Sequence, residues 1–197
     1  MPARSARRWS TSDVRALMDE TRPWPRLELI GGELLVTPAP GGVHQVAVVE
    51  LTRILADYCD RERVGVVLDS PADLELIPGT IAQPDIFVVP YSVLPARDDP
   101  FGWPLVTSLR LAVEIISPSS TRIDRVDKRD HYLAADVEEY WVMDVEARLV
   151  ERWFRDRDRP AATRDRLTWH PNGAPNPLVI DLERFFPSVA TRLRRPS

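Results

Sequence analysis

The segment LAVEII, residues 111–116, constrains the fold more than any other. Side chains alternate along a strand, so Leu111, Val113 and Ile115 share one face and Ala112, Glu114 and Ile116 the other. Both faces are apolar apart from the acid, and such a strand lies in the middle of a sheet covered on each side. PDIFVVP, residues 84–90, is a second apolar strand, opening on Asp85 directly after Pro84. An ionised carboxylate in these surroundings is costly unless it is paired or bound to a metal.

The rest of the chain supplies the covering layers. RLELIGGELLVTP reads as strands at 26–30 and 33–37 joined by Gly31-Gly32, a dipeptide that permits the positive φ angles of a tight hairpin turn. Apolar residues at 43, 47, 48, 51, 54, 55 and 58 recur with a period near 3.6 and predict a helix at about 43–60. Residues 64–69 and 72–77 are strand-like, 91–108 form a long loop, and a helix is expected from about 119 to 135. EYWVMDVE and RLVERWF predict further strands, RDRDRPAATRDR a solvated turn or loop, LTWH a short strand and DLERFFP a final short helix. The expectation is a single α/β (α+β) domain with a mixed sheet flanked by helices. An N-terminal arm and short helix occupy 1–20, the domain 21–190 and a C-terminal tail 191–197.

Composition narrows the class. With 44% hydrophobic and 28% charged residues in 197, the chain is an ordinary globular one with room for one sizeable core. Its one cysteine, Cys59, excludes an internal disulfide framework and thiolate metal clusters, and fits a cytoplasmic setting. No signal-peptide pattern or run of 18 apolar residues suggests export or a membrane partner. A formal charge of −4 argues against coating DNA by charge alone. The 26 basic residues are 25 arginines and a single lysine, Lys128, which singles that lysine out.

Asp85 and Glu114 on neighbouring strands can supply the two carboxylates that a hard cation such as Mg²⁺ takes, with water and a phosphate completing its shell. A nearby lysine then activates water or neutralises charge on the phosphate, and arginine cannot replace it as a proton carrier. Asp124, Lys128 and Tyr132 follow at i, i+4 and i+8, one face of a helix. Bland roles compete. Asp124 also completes a Thr121-x-x-Asp124 cap or pairs with Lys128, and Tyr132 orients the lysine or packs in the core. Glu33 is an additional acid near the metal or an exposed hairpin residue, and His44 touches phosphate or caps its helix. Tyr140 and Trp141 read as core, and His131, His170 and Cys59 have no partners at metal-ligand spacing.

Together these motifs resemble a known family. Pro84-Asp85, Val113-Glu114-Ile115-Ile116-Ser117-Pro118-Ser119, Asp124-x-x-x-Lys128-x-x-x-Tyr132 and Val137-Glu138-Glu139-Tyr140-Trp141-Val142-Met143-Asp144 occur in the order found in the Uma family of restriction-endonuclease-like proteins. That family belongs to the PD-(D/E)XK nuclease superfamily. The likeness extends from Glu28 and the Gly32-Glu33-Leu34 hairpin through His44 to about Trp153. It implies a restriction-endonuclease-like core, a Mg²⁺ (or Mn²⁺) cofactor, hydrolysis of a DNA phosphodiester and catalytic roles for Asp85, Glu114 and Lys128. It also implies metal ligation by Asp85 and Glu114, and the Ile116 backbone carbonyl, which needs no particular side chain, is a further candidate ligand. The superfamily's usual lysine position, two after Glu114, is Ile116 here, and Lys128 is the expected substitute. A homodimer is expected, since cutting two strands pairs two sites. The alternative is a catalytically silent nuclease fold that binds nucleic acid or protein.

Overall fold

The computed structural model describes residues 8–21, 25–96, 100, 102–116 and 123–194, leaving aside the side chains of residues 123 and 124. Ser117, Pro118, Ser119 and Thr121 of the motifs, and the side chain of Asp124, lie outside the described residues. The chain begins with α1 (Thr11–Thr21) and the antiparallel hairpin β1 (Arg26–Ile30) and β2 (Glu33–Thr37). The hairpin turns on Gly31 and Gly32, at φ 61° and 83°, a left-handed conformation that glycine adopts without a Cβ penalty. Then follow α2 (Gly42–Glu62), β3 (Val66–Asp69), β4 (Ile86–Val89) and β5 (Leu109–Ile116). A π-helical turn, Ile123–Lys128, runs into α3 (Arg129–Ala134). The chain closes with β6 (Val137–Asp144), β7 (Leu149–Trp153), β8 (Ala161–Thr163), β9 (Arg166–Trp169), β10 (Leu178–Asp181) and α4 (Leu182–Arg192).

Six strands form the central sheet in the order β3-β4-β5-β6-β7-β8, antiparallel throughout except for the parallel β5–β6 pair. That parallel step needs a crossover, and the segment carrying Lys128 and α3 makes it. β5 is central, as LAVEII requires. Leu111, Val113 and Ile115 pack with α2, α4 and the β9–β10 hairpin, whereas Ala112 and Ile116 pack on the opposite face with Tyr132 of α3 and Ala135 just beyond it. Tyr140 and Trp141 are fully buried, one on each face.

The hairpin stands outside the six strands and is docked by backbone hydrogen bonds between Leu29 and Ile81, at 2.8 and 2.9 Å in the two directions. Leu27 and Leu29 pack under α1 against Val14 and Met18, which turns Arg26 and Glu28 the other way.

Several local expectations change. Residues 72–77 pair only through an isolated Leu74–Ala82 bridge, because the segment folds back on the loop before β4 instead of joining the sheet. The arginine-rich stretch contains β8, an edge strand whose exposed polar neighbours hide it from a periodicity reading, and β10 was not foreseen. α4 runs to Arg192 through Pro187, well beyond DLERFFP and into the segment read as tail. No described helix is long and apolar enough to cross a membrane.

Candidate active site

Antiparallel pairing sets Ile86 of β4 opposite Val113 of β5, so Asp85 falls opposite Glu114. Opposed residues project from the same face, here the face covered by α3. The crossover then returns Lys128 to the strand that precedes it: its Nζ stands 3.1 Å from Glu114 Oε1. Lys128 is only 3% exposed. The turn that ends at Lys128 is π-helical, not α-helical. Beyond it, the Tyr132 hydroxyl donates to the same Glu114 oxygen at 3.1 Å.

Two further residues complete the cluster, both from β1. Glu28 is 0% exposed and places Oε2 at 2.8 Å from Lys128 Nζ, while its Oε1 accepts the Gln83 backbone N–H at 2.8 Å. Arg26 donates through one terminal nitrogen to Asp85 Oδ1 at 2.9 Å and to the Gln83 carbonyl at 3.1 Å. The alternation in RLELI was visible in the sequence, but a strand with charges at every second position ordinarily presents them to water. Here that face turns into the site because Leu29 is bonded to Ile81 and the leucine face is taken by α1.

Asp85 is the most heavily engaged carboxylate. Its Oδ2 accepts the Ile115 backbone N–H at 2.8 Å and meets His44 Nε2 at 3.0 Å. Burial alone would raise its pKa, but the His44 hydrogen bond and the charges of Arg26, His44 and Lys128 hold it down to about 2. An ionised carboxylate only accepts, so His44 Nε2 carries the hydrogen, and Nδ1 is left buried without a hydrogen-bond partner. His44 lies in the first turn of α2, whose N-cap, Gly41, offers no side-chain cap. Its imidazole is hydrogen-bonded to Asp85. Beside this pair opens a cavity of about 120 Å³ lined by Arg26, His44, Asp69, Ser70, Gln83 and Asp85.

For Arg26, burial opposes the charge, yet Asp85, Glu114 and Glu28 together outweigh it and raise the pKa. Tyr132 goes well above the ordinary phenol value, through burial and then the Glu114 and Glu28 charges, and stays a proton donor. His131, on the same helix as Tyr132, is lowered to about 4 by burial and by Lys128.

Of the candidate site residues, the structure brings Asp85, Glu114, Lys128, Tyr132 and His44 into one cluster. Ile116 ends β5 on the Glu114 face. Glu33 is exposed at the hairpin turn, paired with Ile30, and takes no part in the cluster's hydrogen bonds. Cys59 is buried in the core, its thiol pushed up to about 12 by burial. Many exposed-looking arginines are already paired, Arg152 with Glu139 and Arg125 with Asp144 and Glu151.

No curated protein matches the sequence. Among solved structures, one titled a putative nuclease belonging to DUF820, from Anabaena variabilis, superposes with a TM-score of 0.69 at 19% identity. The match covers 84% of this chain and 92% of that one, and at this identity it speaks for the fold: a mixed sheet flanked by helices with an N-terminal hairpin. Residues 13–190 match the model of the Uma2 family, described as "Putative restriction endonuclease". The matched span takes in the hairpin, the whole central sheet and every residue of the cluster, and the chain belongs to the Uma2 family.

Proposed function

We propose that the chain is a divalent-metal-dependent phosphodiesterase, a DNA endonuclease, with Asp85 and Glu114 as metal ligands and Lys128 as the catalytic cation. The observation that carries this is the meeting of Lys128 with Glu114 across the crossover, on the face where Asp85 stands opposite. A solvated ion pair needs no such burial. The family description and the nuclease title of the structural neighbour support the same reaction class.

The donor set suits Mg²⁺ or Mn²⁺. All the carboxylate donors are hard oxygens, and among the described residues Glu28, Asp85 and Glu114 outnumber the cations Arg26 and Lys128. Among the described residues no three His, Cys, Asp or Glu side chains stand at metal-ligating spacing. Two protein carboxylates are a normal complement for Mg²⁺, which keeps several waters, and the Ile116 carbonyl is the further candidate ligand. When bound, such an ion supplies Lewis acidity to the phosphate and a more acidic water. Lys128 offers its ammonium to charge developing on phosphate oxygens, with Glu28 and Glu114 fixing where it points. Tyr132 holds Glu114, and His44 with the Ile115 N–H holds Asp85, so neither carboxylate has to be ordered during reaction.

A homodimer and a cytoplasmic location belong to this proposal, the former checked by light scattering. The test of function is cleavage of supercoiled plasmid by metal-stripped protein with Mg²⁺ or Mn²⁺ restored. Asp85→Ala and Glu114→Ala should each lower the rate by roughly 10²-fold or more; undiminished cleavage by both sinks the assignment. One observation favours the silent alternative: Arg26 and Lys128 already pair with the three carboxylates. A wild-type chain that neither binds Mn²⁺ at millimolar concentration nor nicks DNA would establish that reading.

A further inference from the structure

We propose that Arg26 is the resident counter-cation of the site and the competitor of the divalent ion at Asp85, so that it sets the concentration and the type of cation that load the site. The inference rests on the metal-dependent reading above and adds to it a residue that no motif singled out.

The geometry is specific. Asp85 Oδ2 is taken by His44 Nε2 and the Ile115 N–H, so Oδ1 is the oxygen left for a cation, and Arg26 sits on it at 2.9 Å. The guanidinium is anchored independently of the acid by the Gln83 carbonyl, 3.1 Å away. Its side chain is only 10% exposed, and its charge bears on Glu28 and Glu114 as well as on Asp85. A buried guanidinium in this position does for the metal-free cluster what a metal ion would do, neutralising carboxylates that otherwise repel one another. Among the described residues, Arg26 and Lys128 set two fixed positive charges against the three carboxylates Glu28, Asp85 and Glu114.

A divalent ion entering at Asp85 meets Arg26 at close range, in surroundings where like charges repel more strongly than in water. The two cannot both bind Oδ1 at full strength. Loading therefore requires the guanidinium to give up Asp85 while it keeps the Gln83 carbonyl, and the cavity of about 120 Å³ beside it has room for that swing. A monovalent ion brings no more charge than the guanidinium it must displace and no directional hydrogen bond, so the arrangement selects for divalent ions.

The test is calorimetric titration of Mn²⁺ into the metal-stripped full chain, for wild type, Arg26→Met and Arg26→Lys. Arg26→Met should bind Mn²⁺ at least tenfold more tightly than wild type. Arg26→Lys, which keeps the charge but loses the fork, should fall between them. Arg26→Met should also melt below wild type in chelator and recover when Mn²⁺ is added. Binding detected only in Arg26→Met would be the limiting form of the same result. Mn²⁺ affinity in Arg26→Lys and Arg26→Met equal to or weaker than a measurable wild-type affinity overturns this inference and leaves the metal site standing. Absence of both heat and Mn²⁺-induced stabilisation in all three proteins overturns the metal-dependent reading along with it. Should Arg26→Met fail to fold, the comparison of Arg26→Lys with wild type decides the matter alone.

Discussion

Replacing Lys128 with methionine removes the ammonium that Glu28 and Glu114 share, at 2.8 and 3.1 Å, in a position 3% exposed. Methionine fills much of the space, so the loss is mainly electrostatic. Breaking a buried ion pair from one side typically costs about 3–5 kcal/mol, because the remaining charge is left uncompensated. Among the described residues each carboxylate keeps a neutral donor, the Gln83 N–H for Glu28 and the Tyr132 hydroxyl for Glu114, which sets the expectation near the lower end, about 3 kcal/mol. Against a usual total of about 5–15 kcal/mol, the variant folds but is marginal. Urea denaturation at pH 7 reads the loss as a midpoint lowered by about 1–1.5 M for an m-value of about 2–3 kcal/mol/M. Adding Glu28→Gln to Lys128→Met removes one of the two stranded charges and should restore part of the stability. A loss under about 1 kcal/mol for Lys128→Met, or a double variant less stable than the single one, refutes the electrostatic account of the cluster.

Lys128→Arg keeps the charge and should be far less destabilising than Lys128→Met, while plasmid cleavage still falls because the planar fork does not reproduce the ammonium position; equal activity in Lys128→Arg would count against a role specific to lysine. His131 is neutral in the fold, with a pKa lowered to about 4 by burial and Lys128, whereas the unfolded chain takes up its proton near the ordinary value of 6.5. Falling pH therefore favours the unfolded state through this residue from about 6.5 down to about 4, and His131→Gln should flatten the stability profile in that window; an unchanged slope refutes it. Cys59, buried with its thiol pushed up to about 12, should resist thiol reagents in the native protein and react at the rate of unfolding. Glu33→Ala should leave both stability, within about 0.5 kcal/mol, and cleavage unchanged, since the residue is exposed at the hairpin turn.

Much of the fold was legible because its two apolar strands leave few choices. LAVEII reads as an interior strand from composition of both faces alone, and Gly31-Gly32 marks a hairpin that forms at the expected register. The distant Lys128 was legible for a different reason, its isolation among arginines. What composition could not supply was the path that returns it to Glu114, a parallel crossover whose π-helical turn ends at Lys128 before α3. Arg26 carried no signal and Glu28 marked only the start of the family likeness, because alternation identifies a strand with unlike faces but not which face meets solvent. That choice is made by Ile81 and α1, which are far away in sequence and claim the leucine face. β8 and β10 escaped since short edge strands with mixed residues carry little periodicity, and their pairing is set by neighbours already in place.

The central claim is that a divalent ion binds between Asp85 and Glu114, and a crystal of the full chain grown with Mn²⁺ tests it most directly through the metal's anomalous scattering. The expected result is a single strong peak at about 2.0–2.6 Å from one oxygen of each carboxylate, with Arg26 withdrawn from Asp85. A well-ordered Asp85, Glu114 and Lys128 with no peak between them at saturating Mn²⁺, or with the only peak elsewhere on the molecule, would contradict it.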